Sequence, residues 1–378
     1  MSQGLRTVIV GASLAGVTAA TTLRAMGDAG EITLVGDEAH APYSRPPLSK
    51  DLLLGKVAPQ ALMLPPLPAD LVLRQGAAVA LDRATRTVLL ADGERIPYDR
   101  LVIASGARAR RFVPQGQVRE WHVRGLDDAL ALRQRLLQSG TRVLVIGAGF
   151  IGMEVASVCR ELGCEVSLLC RREPVVDSLG PFLARRFAQA AQAHGVVLHR
   201  IKEPGRPLVT RGRLTGVAWD DGRRLEADVV ITAIGCQPNV EWLAGSGLGG
   251  PAGVAVDAYC RAAPDIVAAG DVALFSPVPG AAPRRMPFWT HAVEQARAAA
   301  ATLVQGDAAQ PYHCAPYGWT AAFGLAVKLA GMLPPQGTPE VIEGNLDQGL
   351  LRWQGPHGST FAALNHKLPA IKLRRLAA

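Results

Sequence analysis

The chain has little that would make it a membrane, secreted or metal-folded protein. No run of its 378 residues stays apolar for the length that a bilayer span requires, and the start of the chain leads into a strand-like segment without a leader pattern. The six cysteines, Cys159, Cys164, Cys170, Cys236, Cys260 and Cys314, include no Cys-x-x-Cys pair, which excludes a zinc ribbon and argues against a redox dithiol. The eight histidines show no ligand spacing, so no metal is expected. Aromatic residues make up only 5% of the chain and do not interleave with basic ones, so its positive charge is not the footprint of a nucleic-acid binder. These absences lead us to expect a cytoplasmic protein with reduced thiols and neither a membrane nor a nucleic acid as partner.

What is present is a globular composition, 49% hydrophobic and 19% charged, with length for two or three packed domains. The net charge of +8 is carried mostly by arginine. Clusters occur at Arg108, Arg110 and Arg111, at Arg284 and Arg285, and at Lys372, Arg374 and Arg375. A basic surface of this kind favours an acidic partner.

The most informative feature is a glycine-rich turn that occurs twice. Gly11-Ala12-Ser13-Leu14-Ala15-Gly16 follows the apolar run Thr7 to Val10, and Gly147-Ala148-Gly149-Phe150-Ile151-Gly152 follows Val143 to Ile146. A strand that turns tightly into a helix lets bare backbone approach a pyrophosphate, and the helix N-terminus supplies free N–H groups and partial positive charge. Two copies predict two bound dinucleotides in one chain. In the first copy Ser13 stands where a glycine is expected, crowding the pyrophosphate slightly but adding a hydroxyl. The second strand of that unit ends in Gly36-Asp37-Glu38, whose carboxylates suit ribose hydroxyls. The matching place after the second copy reads Cys170-Arg171-Arg172, so the two sites are chemically distinct.

Along the chain the βαβ plan repeats. A first unit closes with Leu101 to Ala104 and Ser105-Gly106, and a second closes with Asp228 to Gly235, an echo that suggests duplication. We read residues 1–108 and 238–308 as one discontinuous nucleotide-binding domain, 109–237 as the second, and 309–378 as a small α+β C-terminal domain.

Specific motifs then enter. Pro42-Tyr43-Ser44-Arg45-Pro46-Pro47-Leu48-Ser49-Lys50, Ser105-Gly106, the run Gly147 to Glu154 and Ala269-Gly270-Asp271 together resemble the FAD-dependent pyridine nucleotide–disulfide oxidoreductases. More narrowly they resemble the ferredoxin reductases that serve oxygenases and cytochromes P450. The likeness extends to the run Trp289 to Ala296, similar to the family's helix under the flavin, and to Pro316-Tyr317-Gly318-Trp319, similar to its C-terminal aromatic motif. It departs at Pro287-Phe288, where an acidic residue is usual, and at Ala321-Ala322, where Asp-Gln is usual.

The resemblance implies a glutathione-reductase-like α/β fold, with two Rossmann-like domains for FAD and NAD(P) and a small α+β C-terminal domain. It places FAD on Gly11, Ser13, Ala15, Gly16, Asp37, Glu38, Arg45, Lys50, Ser105, Gly106, Asp271, Trp289, Val293 and Trp319, with Asp271 holding the ribityl chain. It places NAD(P) on Gly147, Gly149, Phe150, Ile151, Gly152, Glu154, Cys170, Arg171, Arg172 and Gly235. Lys50 paired with Glu154 becomes the catalytic couple, an ammonium that stabilises the anionic reduced flavin and a carboxylate that holds it in position.

No cysteine lies near Tyr43 to Pro46, where disulfide, peroxide or oxygen reducers of this superfamily need one. Electron transfer to an acidic [2Fe-2S] ferredoxin is therefore expected, from a monomer or homodimer. The alternatives are rubredoxin reduction and a redox-sensing flavoprotein of the apoptosis-inducing-factor type. The Arg284, Arg285, Lys372, Arg374 and Arg375 clusters are the expected docking surface. Relatives of this kind mostly carry Glu where Cys170 stands. Without that carboxylate, and with Arg171 and Arg172 suited to a 2′-phosphate, NADPH is expected ahead of NADH.

Overall fold

A computed structural model describes residues 4–114, 118–276, 282–355 and 358–377. The chain divides into two units. Met1–Ser44, Met63–Arg108 and Gln237–Cys314 form the first, and Arg45–Leu62, Ala109–Cys236 and Ala315–Ala378 form the second.

The first unit is built on a six-stranded sheet in the order Arg261–Ala263, Ile266–Ala268, Arg100–Ile103, Thr7–Val10, Ile32–Gly36, Val72–Gln75. All neighbours are parallel except the pair at the Arg261 edge. Alternation along Thr7–Val10 sends Ile9 to one face and Val8 and Val10 to the other. On the Ile9 face, Ala19, Ala20, Ala296, Ala299 and Ala300 pack into one core with Leu23 and Val102. These small side chains belong to the helices Leu14–Ala25 and Trp289–Gln305, so the alanine-rich segments bring two helix backbones close together over the sheet. On the opposite face Leu101 and Ile103 pack with Val88, Trp242 and Val254.

The second unit repeats the plan with a four-stranded, all-parallel sheet in the order Val197–Arg200, Glu165–Cys170, Arg142–Ile146, Val229–Thr232. Strands buried on both faces read as unbroken apolar runs, and Val143 to Ile146 is one. Helices of this unit include Leu126–Leu136, Phe150–Glu161 and Val176–Ala193, the last interrupted at Gly180. The first of these is stopped at its start by the Asp128 carboxylate, which accepts from the Gly125 N–H at 2.8 Å.

The same unit carries a five-stranded antiparallel sheet in the order Tyr317–Ala322, Leu325–Ala330, Gly358–Leu364, Gly349–Gly355, Glu340–Gly344, followed by the helix Ala370–Ala377. The α/β class with two Rossmann-type sheets and a small α+β element is thus the architecture observed. No helix among the described residues is long and apolar enough to cross a membrane.

Candidate functional site

The first glycine turn is set by steric necessity. Gly11 has φ +117°, and a Cβ on it would lie 2.0 Å from the Ala104 carbonyl oxygen, so any side chain would push apart two neighbouring strands' ends. A Cβ on Gly16 would lie 1.8 Å from the Gly11 oxygen, so only glycine lets the helix Leu14–Ala25 begin this close to the strand. Ser13 is the residue before that helix, with extended backbone, and Ala15 is buried on its first turn. The chain returns to this place after the strand Ile266–Ala268: a Cβ on Gly270 would lie 3.0 Å from the Ala15 Cβ, and the Gly270 N–H donates to Gln295 Oε1 at 2.9 Å. Asp271 is next in line, half-buried, and its carbonyl accepts from Arg285 Nη1 at 3.2 Å.

The other first-unit candidates gather at the same end of the sheet. Asp37 is exposed and Glu38 half-buried after the strand Ile32–Gly36, and the Tyr43 hydroxyl donates to the Glu38 carboxylate. Ser105 Oγ donates to the Asn239 carbonyl at 2.8 Å while Asn239 Nδ2 donates to the Ser105 carbonyl at 2.9 Å. Gly106 takes φ +65° there. Trp289 opens its helix with an exposed ring, and Val293 follows one turn on, half-buried.

In the second unit the turn repeats almost atom for atom. Gly147 has φ +103° with a hypothetical Cβ 2.3 Å from the Ala233 oxygen, and one on Gly152 would lie 1.9 Å from the Gly147 oxygen. Gly149 differs: among the described residues nothing lies within 4 Å of where its Cβ would project, and it immediately precedes the helix Phe150–Glu161. Gly235 is equally open. Open space at a helix N-terminus fits a pyrophosphate, since the first-turn N–H groups have no partner within the helix. Phe150 is half-buried and Ile151 exposed on that first turn. Cys170 ends its strand buried, which pushes its thiol pKa up. Arg171 and Arg172 are exposed just beyond it, and Arg172 pairs with Asp177.

The second unit also holds the best-defined polar centre. Glu154 lies on the helix Phe150–Glu161 and is only 2% exposed. Its Oε2 accepts from Lys50 Nζ at 2.6 Å and from Ser49 Oγ at 2.6 Å, and its Oε1 accepts from Thr320 Oγ1 at 2.7 Å. Lys50 Nζ also donates to the Pro46 carbonyl at 3.2 Å. A buried carboxylate is tolerated only when its charge is matched and its lone pairs are filled, and both conditions hold here. Sequence reasoning paired Lys50 with Glu154 but missed Ser49 and Thr320, because a lone hydroxyl carries no sequence signature. Arg45 precedes the short helix Pro46–Ser49 and its Nη1 donates to the Arg124 carbonyl at 2.9 Å. Trp319 stands exposed on the strand Tyr317–Ala322, its ring 5.9 Å from that of Tyr317.

Comparison with known proteins agrees with this geometry. Residues 5–296 match the family model described as pyridine nucleotide-disulphide oxidoreductase. Rhodocoxin reductase of Rhodococcus erythropolis is 36% identical over 354 residues, 91% of this chain and 82% of that protein. The ferredoxin–NAD(+) reductase component of the anthranilate 1,2-dioxygenase system of Burkholderia cepacia is 36% identical over 359 residues, 90% of this chain and 85% of that protein. The crystal structure of the covalent putidaredoxin reductase–putidaredoxin complex superimposes with a TM-score of 0.86 at 28% identity, covering 100% of this chain and 93% of that one. The chain belongs to the pyridine nucleotide-disulphide oxidoreductase family.

Proposed function

We propose that this protein is an FAD-dependent NAD(P)H:ferredoxin oxidoreductase that draws electrons from a nicotinamide nucleotide and delivers them singly to an acidic [2Fe-2S] ferredoxin, which feeds an oxygenase or a cytochrome P450. The observation that carries this reading is the pair of strand–glycine–helix turns, one in each unit, each closed by the same two backbone approaches. The names of the relatives support the electron acceptor: one is a ferredoxin–NAD(+) reductase component, and another was crystallised joined to its redox partner. Flavin, when bound, supplies the means to accept a hydride and release its two electrons one at a time.

In this reading residues 1–108 and 238–308 bind FAD, 109–237 bind the nicotinamide nucleotide, and 309–378 form the C-terminal domain. Gly11, Ser13, Ala15 and Gly16 present backbone N–H groups to the FAD pyrophosphate, Asp37 and Glu38 hold ribose hydroxyls, and Asp271 holds the ribityl chain. Ser105, Gly106, Trp289, Val293, Arg45 and Trp319 complete the FAD set. Gly147, Gly149, Phe150, Ile151, Gly152 and Gly235 hold the second dinucleotide. Lys50 serves the flavin as a fixed positive charge, and Glu154, pinned by Ser49 and Thr320, keeps that ammonium from wandering.

For the donor we favour NADPH. Among the residues ending the strand Glu165–Cys170 there is no carboxylate to accept from a 2′-hydroxyl, and Arg171 and Arg172 follow directly. The Burkholderia relative is named for NAD(+), so comparing the donors is a sharp test. The reading as a whole is tested by acid precipitation of the purified protein, which should release one equivalent of FAD. A protein that is colourless and cannot be reconstituted with FAD contradicts it.

A further inference from the structure

Among the described residues no three His, Cys, Asp or Glu side chains come together as a ligand set, but counting thioether sulfur changes this. In the first unit Cys314 Sγ lies 3.6 Å from Met286 Sδ and 3.6 Å from His291 Nδ1. Met286 and His291 are buried and Cys314 half-buried. The geometry points to a binding site for a soft monovalent cation, Cu(I), with the Cys314 thiolate, the Met286 thioether and the His291 Nδ1 as its three ligands.

Four features support the site. Thiolate, thioether and imidazole are the donors that select Cu(I) over harder ions. Cys314 Sγ stands 3.6 Å from each of the other two donor atoms, a separation that one ion with bonds of roughly 2.0–2.3 Å to sulfur and nitrogen can bridge. The ring nitrogen facing Cys314 is Nδ1, which also lies 3.0 Å from the Tyr312 hydroxyl and can ligate in the tautomer that carries the ring proton on Nε2. That Nε2 is buried with no hydrogen-bond partner among the described residues.

Charge also selects the ion. On binding, the Cys314 S–H bond breaks, a Cu–S bond forms and the thiol proton leaves to solvent, so one thiolate neutralises one Cu(I). A divalent zinc ion would keep an uncompensated positive charge in a pocket walled by Phe275, whose ring is 5.2 Å from that of Tyr312 and 6.1 Å from that of His291. On binding, the Tyr312 hydroxyl gives up its 3.0 Å contact with Nδ1.

Spacing along the chain hides this set, because 23 residues separate His291 from Cys314 and 28 separate Met286 from Cys314. The site is independent of the reductase reading, and its test does not use turnover. The flavin-loaded full chain, held anaerobically without nicotinamide nucleotide, is titrated against a Cu(I)–bathocuproine disulfonate complex, following loss of the chelator's colour. The wild type should take up one equivalent that C314S does not, and M286L, close in volume, should bind it at least tenfold more weakly while melting within a few degrees of the wild type. X-ray absorption of the loaded protein should give one nitrogen and two sulfur neighbours. Equal uptake by the wild type, C314S and M286L, or no uptake by the wild type, overturns the proposal, and so does a first shell of sulfur alone.

Discussion

Lys50 Nζ lies 2.6 Å from Oε2 of Glu154, a carboxylate that is 2% exposed and is held from its other side by Thr320. In E154Q the amide oxygen can still accept from Lys50 and Ser49, with the amide nitrogen turned to the Thr320 hydroxyl, but the negative charge that balances the Lys50 ammonium is gone. Breaking a buried pair by removing one charge costs about 3–5 kcal/mol, and the partial exposure of Lys50 lowers this to about 2 kcal/mol. We expect E154Q to be destabilised by that amount in urea and its flavin to be reduced roughly tenfold more slowly in stopped flow, the latter equivalent to about 1.4 kcal/mol of barrier. Wild-type kinetics in a folded E154Q protein would remove the pair from the mechanism.

The two glycines of the second turn separate folding from binding. Gly149 has open space before it, so G149A should melt like the wild type, yet raise KM for the nicotinamide nucleotide about tenfold by placing a methyl group where the pyrophosphate approaches. A Cβ on Gly152 would lie 1.9 Å from the Gly147 oxygen, so G152A should be strongly destabilised. If G149A binds the nucleotide as well as the wild type, that helix N-terminus is not the pyrophosphate site. FAD content should be unaffected in G149A.

Burial lowers the His291 pKa from its ordinary 6.5 to about 4, partly offset by Asp271. The unfolded chain then binds more protons than the folded one between those values. Stability contributed by this residue is complete above about pH 6.5 and is lost as pH falls through about 4. Across this window the wild type should lose up to roughly 3 kcal/mol more than H291Q, as the shift converts at about 1.4 kcal/mol per unit. Parallel stability curves for the two proteins would show that His291 titrates normally.

How much of this was legible beforehand depended on how local each signal is. Gly11, Gly16, Gly147 and Gly152 announce themselves because a tight turn forces all its requirements into six residues. The apolar runs Thr7 to Val10 and Val143 to Ile146 gave strands where the structure has Thr7–Val10 and Arg142–Ile146. The run Trp289 to Ala296 opens the helix Trp289–Gln305, whose alanines share a core with those of the other alanine-rich helix. The three-stranded antiparallel sheet Arg206–Thr210, Arg213–Ala218, Arg224–Glu226 was not anticipated, since its outer strands are short and mostly exposed and lack an alternating apolar pattern. Ser49 and Thr320, 105 and 166 residues from Glu154, acquire meaning only through the fold.

Charge should steer the ferredoxin. The helix Ala370–Ala377 exposes Lys372 and Arg375 with Arg374 half-buried, and Arg284 is exposed on the first unit. Arg285 is half-buried and bonded to the Asp271 carbonyl. Salt shortens the Debye length to roughly 10 Å at 0.1 M, so ferredoxin-dependent turnover should fall with ionic strength while reduction of a neutral quinone should not. The K372Q/R375Q double variant should raise KM for ferredoxin several-fold at low salt and match the wild type at high salt. Equal salt responses of ferredoxin and quinone, or an unaffected double variant, would move the docking surface elsewhere.

The central claim is that electrons pass from a nicotinamide nucleotide through bound flavin to a ferredoxin. The most direct measurement is anaerobic stopped-flow mixing of the FAD-loaded protein with NADPH or NADH, with and without an oxygenase-type [2Fe-2S] ferredoxin, recording flavin bleaching and cluster reduction together. Bleaching is expected on mixing with donor, faster with NADPH than with NADH, followed by cluster reduction at a rate set by ferredoxin concentration. A flavin bleached by neither donor, or a reduced flavin that leaves every ferredoxin tested oxidised, would contradict it.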